Sequence, residues 1–229
     1  MRSQRPSTWC AETVRFGNGL KLGVFGGTFD PIHNGHLRMA EEARERLGLD
    51  RVVFIPNQVS PFKLDRRISP GAGRADMVRL AIAGNPAFEI DTIELERGGP
   101  SYTVETLRAI QSRLACAPGE VHLYFLTGAD AVRELARWRE PDAILQLARL
   151  VAATRPGVSR EDVVAALPSR WHERILFLEM PELDIAATDL RDRVRTGRSI
   201  RYLTPCSVER FVADQGLYRE EMSDEQPAR

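Results

Sequence analysis

The sequence carries no excess of charge of either sign. Lys and Arg number 32, and Asp and Glu also number 32, among its 229 residues. A protein that binds duplex nucleic acid normally has a basic bias, so this balance argues against a nucleic-acid partner. Local basic positions remain compatible with a small phosphorylated ligand.

Cysteine is scarce, and long apolar runs are missing. Cys10, Cys116 and Cys206 form no Cys-x-x-Cys pair, which favours free thiols over a disulfide framework or a zinc site. No apolar run approaches the ~20 residues that a membrane-spanning helix needs, and residues 1–19 contain no apolar segment typical of a secretory signal. We therefore expect a cytoplasmic protein without a membrane partner, with a flexible extension over 1–19 and a flexible tail over 220–229.

Short apolar segments alternate with helical patterns along the rest of the chain. Strands are predicted at 21–25, 51–56, 88–94, 121–127, 150–153 and 175–178. Helices are predicted at 34–47, 74–83, 103–115, 141–149, 160–167, 188–196 and 205–215. The alternation predicts a Rossmann-like, doubly wound α/β fold, with a mostly parallel sheet and helices on both faces. We expect one domain over 20–219, with a C-terminal helical part from about residue 188.

The loop after the first predicted strand contains the string Gly-Gly-Thr-Phe-Asp-Pro-Ile-His-Asn-Gly-His over 26–36. Glycines directly after a buried strand let the backbone approach a phosphate, and the next helix directs its free N–H groups to the same place. Parallel sheets bind ligands outside the carboxyl ends of their strands. The string therefore predicts a phosphate site at this edge of the sheet.

Two of the four histidines of the chain, His33 and His36, lie in this loop. Gly35 is expected to leave room for a ligand between them, with both imidazoles facing the crevice at the strand ends. Histidines there can donate hydrogen bonds to phosphate oxygens whose charge grows during a transfer reaction. A tight turn with two incidental histidines is the weaker interpretation, because the whole string fits the site.

The string over 26–36 resembles the signature of the nucleotidyltransferase superfamily, which shares its His-x-Gly-His element with class I aminoacyl-tRNA synthetases. Segments similar to those of bacterial nicotinate mononucleotide adenylyltransferases follow in order at 57–63, 97–103, 127–130, Trp138, 155–157, 184–191, 197–203 and 215–218. The resemblance covers roughly 22–219. It implies adenylyl transfer from ATP to nicotinate mononucleotide, which gives pyrophosphate and nicotinate adenine dinucleotide, the precursor of NAD.

The resemblance also implies roles for individual residues. Catalysis is expected to involve His33, His36, Lys63 and Arg191. ATP is expected to contact Gly26, Gly27, Thr28, Phe29, Gly128, Asp130, Arg155, Ile185 and Thr188. Nicotinate mononucleotide is expected to contact Asn57, Ser101, Tyr102, Thr103 and Trp138.

Residue chemistry alone leaves alternatives for several of these positions. Lys63 suits a phosphate contact or a solvated surface position, and Asp130 suits hydrogen bonds from ribose hydroxyls or a cap on the following helix. Trp138 suits stacking on a pyridine ring or packing in the core. The hydroxyls and N–H groups of 101–103 suit a carboxylate, a role that is compatible with capping a helix.

The segment near the C-terminus predicts a triphosphate site. Thr188 is expected to cap a helix that begins at Asp189, with Arg191 one turn further on. The resembled family usually carries two serines before this threonine, whereas this chain has Ala186 and Ala187. The change keeps the main-chain N–H contacts and removes one or two hydroxyl contacts, so we expect weaker ATP binding rather than loss of activity.

The expected reaction is an in-line attack without a covalent intermediate, in which positioning and charge supply most of the rate. Mg²⁺ would bridge the substrate phosphates and be held mainly by them and by water, without a dedicated metal site. The alternatives are another acceptor (nicotinamide mononucleotide, phosphopantetheine or an alcohol phosphate), a tRNA-charging enzyme, or an inactive nucleotide sensor. The short, neutral chain opposes the tRNA-charging enzyme, and the histidines oppose the sensor. A homo-oligomer is compatible with the sequence.

Overall fold

The computed structural model describes residues 19–62, 68–114, 121–154, 159–180 and 183–219. Lys63 and Arg155 lie outside these ranges, so their roles stay predictions. Within the ranges, every helix is too short or too polar to cross a membrane.

One sheet of six parallel strands has the order β3-β2-β1-β4-β5-β6. The strands are β1 (Leu20–Gly27), β2 (Arg51–Pro56), β3 (Phe88–Ile90), β4 (Val121–Gly128), β5 (Arg149–Ala153) and β6 (Ile175–Leu178). Val24 of the central strand β1 lies between Val53 of β2 and Phe125 of β4. The chain places β2 and β3 on one side of β1 and then β4, β5 and β6 on the other side. This order confirms the predicted doubly wound fold.

Helices cover both faces of the sheet. In the described part of the chain they are α1 (Asn34–Leu47), α2 (Gly71–Ile82), α3 (Ile93–Arg97), α4 (Thr103–Leu114), α5 (Ala129–Arg133), α6 (Pro141–Leu147), α7 (Arg160–Ala166), α8 (Ala187–Arg195) and α9 (Cys206–Asp214). Successive residues of β2 alternate between two apolar clusters. Val53 and Ile55 belong to the cluster that contains α4, and Val52 and Phe54 to the cluster that contains α1 and α2. Burial on both faces explains why β2 is almost continuously apolar.

The strand predicted over 88–94 is wrong beyond Ile90. A carboxylate oxygen of Asp91 accepts a hydrogen bond of 2.9 Å from the main-chain N–H of Ile93, and this local turn ends the strand and starts α3. Arg149 opens β5 rather than ending α6. The other predicted strands and helices are confirmed, with ends that move by a few residues.

A buried arginine holds three loops together at the carboxyl edge of the sheet. Arg74, in α2, is only 1% exposed. Its guanidinium donates hydrogen bonds to the main-chain oxygens of Thr28 (2.7 Å), Ser69 (2.9 Å) and Gln58 (3.3 Å). Thr28 follows β1 and Gln58 follows β2, so Arg74 fixes the loops of two neighbouring strands to each other and to the start of α2.

Asp30 connects the loop after β1 to the C-terminal part of the chain. Its buried carboxylate accepts hydrogen bonds from the main-chain N–H of Ser69 (3.1 Å) and the hydroxyl of Tyr218 (2.6 Å). Its main-chain oxygen accepts a hydrogen bond of 2.7 Å from Arg191 of α8. Burial and the nearby charge of Asp30 raise the pKa of Tyr218 far above its usual range, so the hydroxyl stays a donor.

Helix α1 begins at a buried histidine. His33 precedes the first helical residue and is 6% exposed. Removal from water disfavours the charged imidazole and lowers the pKa of His33 to about 4. His33 is therefore neutral at and above neutral pH.

Replacing Arg74 with Met should lower the free energy of unfolding by about 2–5 kcal/mol, because three buried carbonyls and Asp30 lose their cationic partner. Urea denaturation measures the loss. Arg79→Met is the matched control, since Arg79 lies on the same helix and pairs with Asp76 at 2.7 Å on the exposed surface. That variant should lose no more than about 1 kcal/mol, and equal losses in the two variants would contradict the role given to Arg74.

The buried His33 should make stability depend on pH. Its pKa is 6.5 in the unfolded chain and about 4 in the folded one, so between these values the unfolded state holds more protons. The free energy of unfolding should therefore fall, as the pH is lowered through this window, by about 1.4 kcal/mol per pH unit. Comparison with His33→Asn isolates this contribution. A difference between wild type and variant that does not change with pH would rule it out.

Candidate active site

The loops after β1 and β4 diverge at the carboxyl edge of the sheet. These two strands are neighbours, and the chain leaves them in opposite directions, towards β2 and towards β5. Such a switch point leaves a crevice in which open α/β sheets bind ligands. The string predicted to bind phosphate therefore lies at the position where this fold binds ligands.

A cavity of about 420 Å³ opens at this edge. It is lined by Gly26, Gly27, Asn57, Pro61, Phe62, Glu94, Ser101, Tyr102, Thr103, Phe125, Thr127, Arg137, Trp138, Arg139 and Ile144. Every residue predicted to contact the mononucleotide is among them. The volume and the mixture of aromatic and polar groups suit a small-molecule ligand.

Aromatic rings and cations form one wall of the cavity. Trp138 is half-buried and packs edge-on against Phe125, with ring centroids 6.0 Å apart. It therefore both packs against the core and lines the cavity. The guanidinium of Arg139 lies 4.7 Å from the centroid of the Tyr102 ring and donates a hydrogen bond of 2.8 Å to Glu105. Flat surfaces held in this way suit an aromatic ligand.

The loop before α4 is fixed to the segment after β2. The main-chain N–H of Ser101 donates to Val59 (2.9 Å), and its hydroxyl oxygen accepts from the N–H of Gln58 (3.0 Å). Tyr102 and Thr103 follow at the start of α4 and line the cavity. The positive end of the α4 dipole, with first-turn N–H groups that have no partner inside the helix, therefore lies at the cavity wall.

The loop after β1 presents its backbone rather than its aromatic ring. Phe29 is 1% exposed, and its ring packs in the core against Phe25. A Cβ atom on Gly27 would lie 2.8 Å from the Phe29 ring, so this position requires glycine. Thr28 accepts a hydrogen bond of 3.3 Å from the Asn57 amide, whose oxygen is buried and has no hydrogen-bond partner among the described residues.

The two histidines stack on each other instead of flanking a ligand. The ring centroids of His33 and His36 are 3.6 Å apart, and a Cβ atom on Gly35 would lie 3.1 Å from the His33 ring. The expectation that Gly35 leaves room for a ligand between them is therefore wrong, because the His33 ring fills that space. The expectation that His33 opens into the crevice is also wrong, since this side chain is buried.

His36 is oriented as a hydrogen-bond donor. Its Nδ1 accepts a hydrogen bond of 3.2 Å from the main-chain N–H of His33. A nitrogen that accepts carries no proton, so the neutral ring carries its proton on Nε2. The half-buried His36 thus has the tautomer that donates to a phosphate oxygen.

Helix α8 begins two residues earlier than the capping prediction required, at Ala187 instead of Asp189. Ala186 occupies the capping position in an extended conformation, so the predicted cap by Thr188 is wrong. Thr188 lies inside the first turn, where its hydroxyl oxygen accepts a hydrogen bond of 3.4 Å from Arg191. Alanine has no side-chain oxygen to accept from the first N–H groups of α8, which leaves them suited to an anion.

The string over 26–36 and the segment over 184–191 lie against each other. A Cβ atom on Gly35 would lie 3.8 Å from Cβ of Ile185. The Asn34 amide donates a hydrogen bond of 2.7 Å to the main-chain oxygen of Tyr202. Together with the bond from Arg191 to Asp30, these contacts place the predicted triphosphate elements beside the histidines.

Asp130 lies in the first turn of α5, after the end of β4. Gly128 precedes this helix, and no side-chain hydrogen bond caps it. A Cβ atom on Gly128 would collide with the Asp130 carboxylate, so the carboxylate folds back over the end of β4. Because the helix begins at Ala129, Asp130 is not the residue that precedes it, and the ribose contact stays a prediction.

Sequence reasoning missed several residues that form or support the site, namely Asp30, Phe62, Arg74, Glu94, Arg137, Arg139 and Tyr218. Asp30 lies within the string over 26–36, and Arg137 and Arg139 flank Trp138, so these three residues had a signal in the sequence. Glu94 had none, because its segment was predicted as a strand.

Comparisons with known proteins agree with this geometry. A family model described as cytidylyltransferase-like matches residues 24–193. A relative named probable nicotinate-nucleotide adenylyltransferase from Roseiflexus sp. is 47% identical over 86% of this chain and 98% of its own length. A relative with the same name from Thermomicrobium roseum is 43% identical over 87% of this chain and 92% of its own length.

Solved structures share the fold. Plasmodium falciparum nicotinic acid mononucleotide adenylyltransferase, complexed with NaAD, aligns with a TM-score of 0.71 at 14% identity over 87% of this chain and 97% of that one. A solved structure from Vibrio parahaemolyticus aligns with a TM-score of 0.59 at 21% identity over 88% of this chain and 97% of that one. From the sequence matches over most of its length, the chain belongs to the bacterial nicotinate-nucleotide adenylyltransferase family, within the cytidylyltransferase-like nucleotidyltransferases.

Proposed function

We propose that the protein transfers the adenylyl group of ATP to nicotinate mononucleotide in NAD biosynthesis, giving nicotinate adenine dinucleotide and pyrophosphate. The observation that carries this proposal is the cavity at the switch point. All residues expected to contact the mononucleotide line it, and the donor His36 lies at the same edge of the sheet. The names of the sequence relatives support the same reaction.

The two substrates would occupy adjoining parts of the site. The pyridine ring of the mononucleotide stacks on Trp138, and its acid group lies at the positive end of α4, near Tyr102 and Thr103. The phosphates of ATP lie over the loop after β1, between His36 and the start of α8. Arg191 adds a positive charge there while it remains bonded to the main chain of Asp30. Lys63 is proposed as a second positive charge.

In the proposed reaction, a 5′-phosphate oxygen of the mononucleotide attacks the α-phosphorus of ATP in line with the leaving group. A new phosphorus–oxygen bond forms as the bond to the β-phosphate oxygen breaks, and pyrophosphate leaves with that electron pair. His36 donates a hydrogen bond from Nε2 to an α-phosphate oxygen as charge develops on it. No side chain becomes covalently attached to the substrate, since positioning and charge supply the rate.

The residues around the site fit a magnesium ion that arrives with the nucleotide. Among the described residues, no group of three or more His, Cys, Asp or Glu is arranged to hold a metal. The Asp30 carboxylate at the motif loop is already bonded to Ser69 and Tyr218. Mg²⁺ would be held mainly by phosphate oxygens and water, as this ion prefers, and would neutralise the charge of the leaving pyrophosphate.

Replacing His36 with Ala should lower turnover by about two to three orders of magnitude, the usual effect of removing one donor to a developing oxyanion. Steady-state pyrophosphate release with Mg-ATP and nicotinate mononucleotide measures it. His122→Gln is the control, since His122 lies near the amino end of β4, away from the site. Turnover close to that of wild type in His36→Ala would defeat the assignment.

The choice of acceptor can be tested with nicotinate and nicotinamide mononucleotide side by side. We expect pyrophosphate release to be faster with the acid, because the helix end at Tyr102 and Thr103 favours a negative group. Preference for the amide would keep the reaction and overturn the substrate. Absence of release with both would favour a nucleotide sensor or one of the other phosphate acceptors.

A further inference from the structure

Glu94 is a buried carboxylate at the wall of the cavity. It lies in the first turn of α3, is 6% exposed and lines the cavity together with Ser101. Burial raises the pKa of Glu94, and hydrogen bonds from Thr106 and Ser101 together with the charge of Arg97 oppose that shift. A carboxylate in such a place requires partners that donate to it.

Both hydroxyls beside Glu94 donate to it, because an ionised carboxylate can only accept. The Thr106 hydroxyl donates to Glu94 at 2.5 Å, with the main-chain oxygen of Tyr102 as a longer alternative at 3.4 Å, and it accepts a hydrogen bond of 3.2 Å from Arg97. The Ser101 hydroxyl likewise donates to Glu94 and accepts from the N–H of Gln58.

The direction of these hydroxyl bonds determines which protons of Ser101 remain available to a ligand. The main-chain N–H of Ser101 is bonded to Val59, and its hydroxyl proton is directed to Glu94. Ser101 therefore has no proton left for the acid group of a ligand. That group meets Tyr102 and Thr103 instead, and the position of these two residues depends on the bonds that converge on Glu94.

We propose that Glu94 is a positioning residue for the mononucleotide half of the site, where it fixes the start of α4 by accepting the hydroxyl protons of Ser101 and Thr106. The inference rests on the proposed function for the identity of the ligand. Thr106 is 1% exposed and does not line the cavity. A change at Thr106 can therefore reach the ligand only through the residues that it positions.

The test uses calorimetric titration of nicotinate mononucleotide and, separately, of ATP. Glu94→Gln should raise the Kd of the mononucleotide about tenfold, the equivalent of one lost charged hydrogen bond, because the amide has one acceptor oxygen where the carboxylate has two, so one of the two hydroxyls loses its acceptor. Thr106→Val should raise that Kd about threefold, since the carboxylate keeps its other partner. The Kd of ATP should stay within about twofold in both variants.

Double variants provide a second test of the hydrogen bonds between Glu94 and its two hydroxyl partners. Removing a hydroxyl that has already lost its acceptor costs little, so Glu94→Gln combined with Ser101→Ala or with Thr106→Val should raise the Kd of the mononucleotide by less than the product of the two single changes. Glu96→Gln is the matched control, because Glu96 lies on the same helix and accepts a hydrogen bond of 2.6 Å from Thr92 on the exposed surface. It should leave both Kd values unchanged.

The outcomes separate this inference from the proposed function. An unchanged mononucleotide Kd, an equal loss for ATP, or additive effects in both double variants would overturn the role of Glu94. Failure of the wild type to bind the mononucleotide would overturn it as well. Binding without pyrophosphate release would overturn the proposed reaction, while the titrations would still decide the role of Glu94.

Discussion

The shape of the site depends on one buried guanidinium. The loops after β1 and β2 begin with main-chain carbonyls that face the buried Arg74, and carbonyls removed from water need donors. Arg74 supplies donors to Thr28, Gln58 and Ser69 from a single rigid fork. Lysine could not do the same, because its ammonium is a point charge on a flexible stem. The glycines of the motif loop can therefore be conformationally permissive without leaving the loop disordered.

The two halves of the site are held by separate networks that meet at one residue. Arg74 and Asp30 hold the phosphate half, and Glu94 with its hydroxyl partners holds the cavity half. Gln58 belongs to both, since its carbonyl accepts from Arg74 and its N–H donates to Ser101. The two halves of the site are thus linked to each other through the main chain of one residue.

The sequence predicted the fold and seven of the fifteen residues that line the cavity, because both depend on local signals. Alternating apolar and amphipathic segments define the strands and helices, and the five residues expected at the mononucleotide all line one cavity. The predictions failed where side chains decide the geometry. Asp91 ends β3 through a local hydrogen bond, and the His33 ring occupies the space beside Gly35, where it stacks on His36. Glu94 was missed because its role comes from partners on other elements.

The bond from Tyr218 to Asp30 joins the last described segment of the chain to its first motif, 188 residues apart. A chain that is being synthesised from its N-terminus can form the sheet and the motif loop early, since domains begin to fold as they emerge. Arg191 and Tyr218 can reach that loop only after all six strands of the sheet have been synthesised. A chain that has been synthesised only as far as β6 therefore lacks two of the anchors that shape the loop after β1.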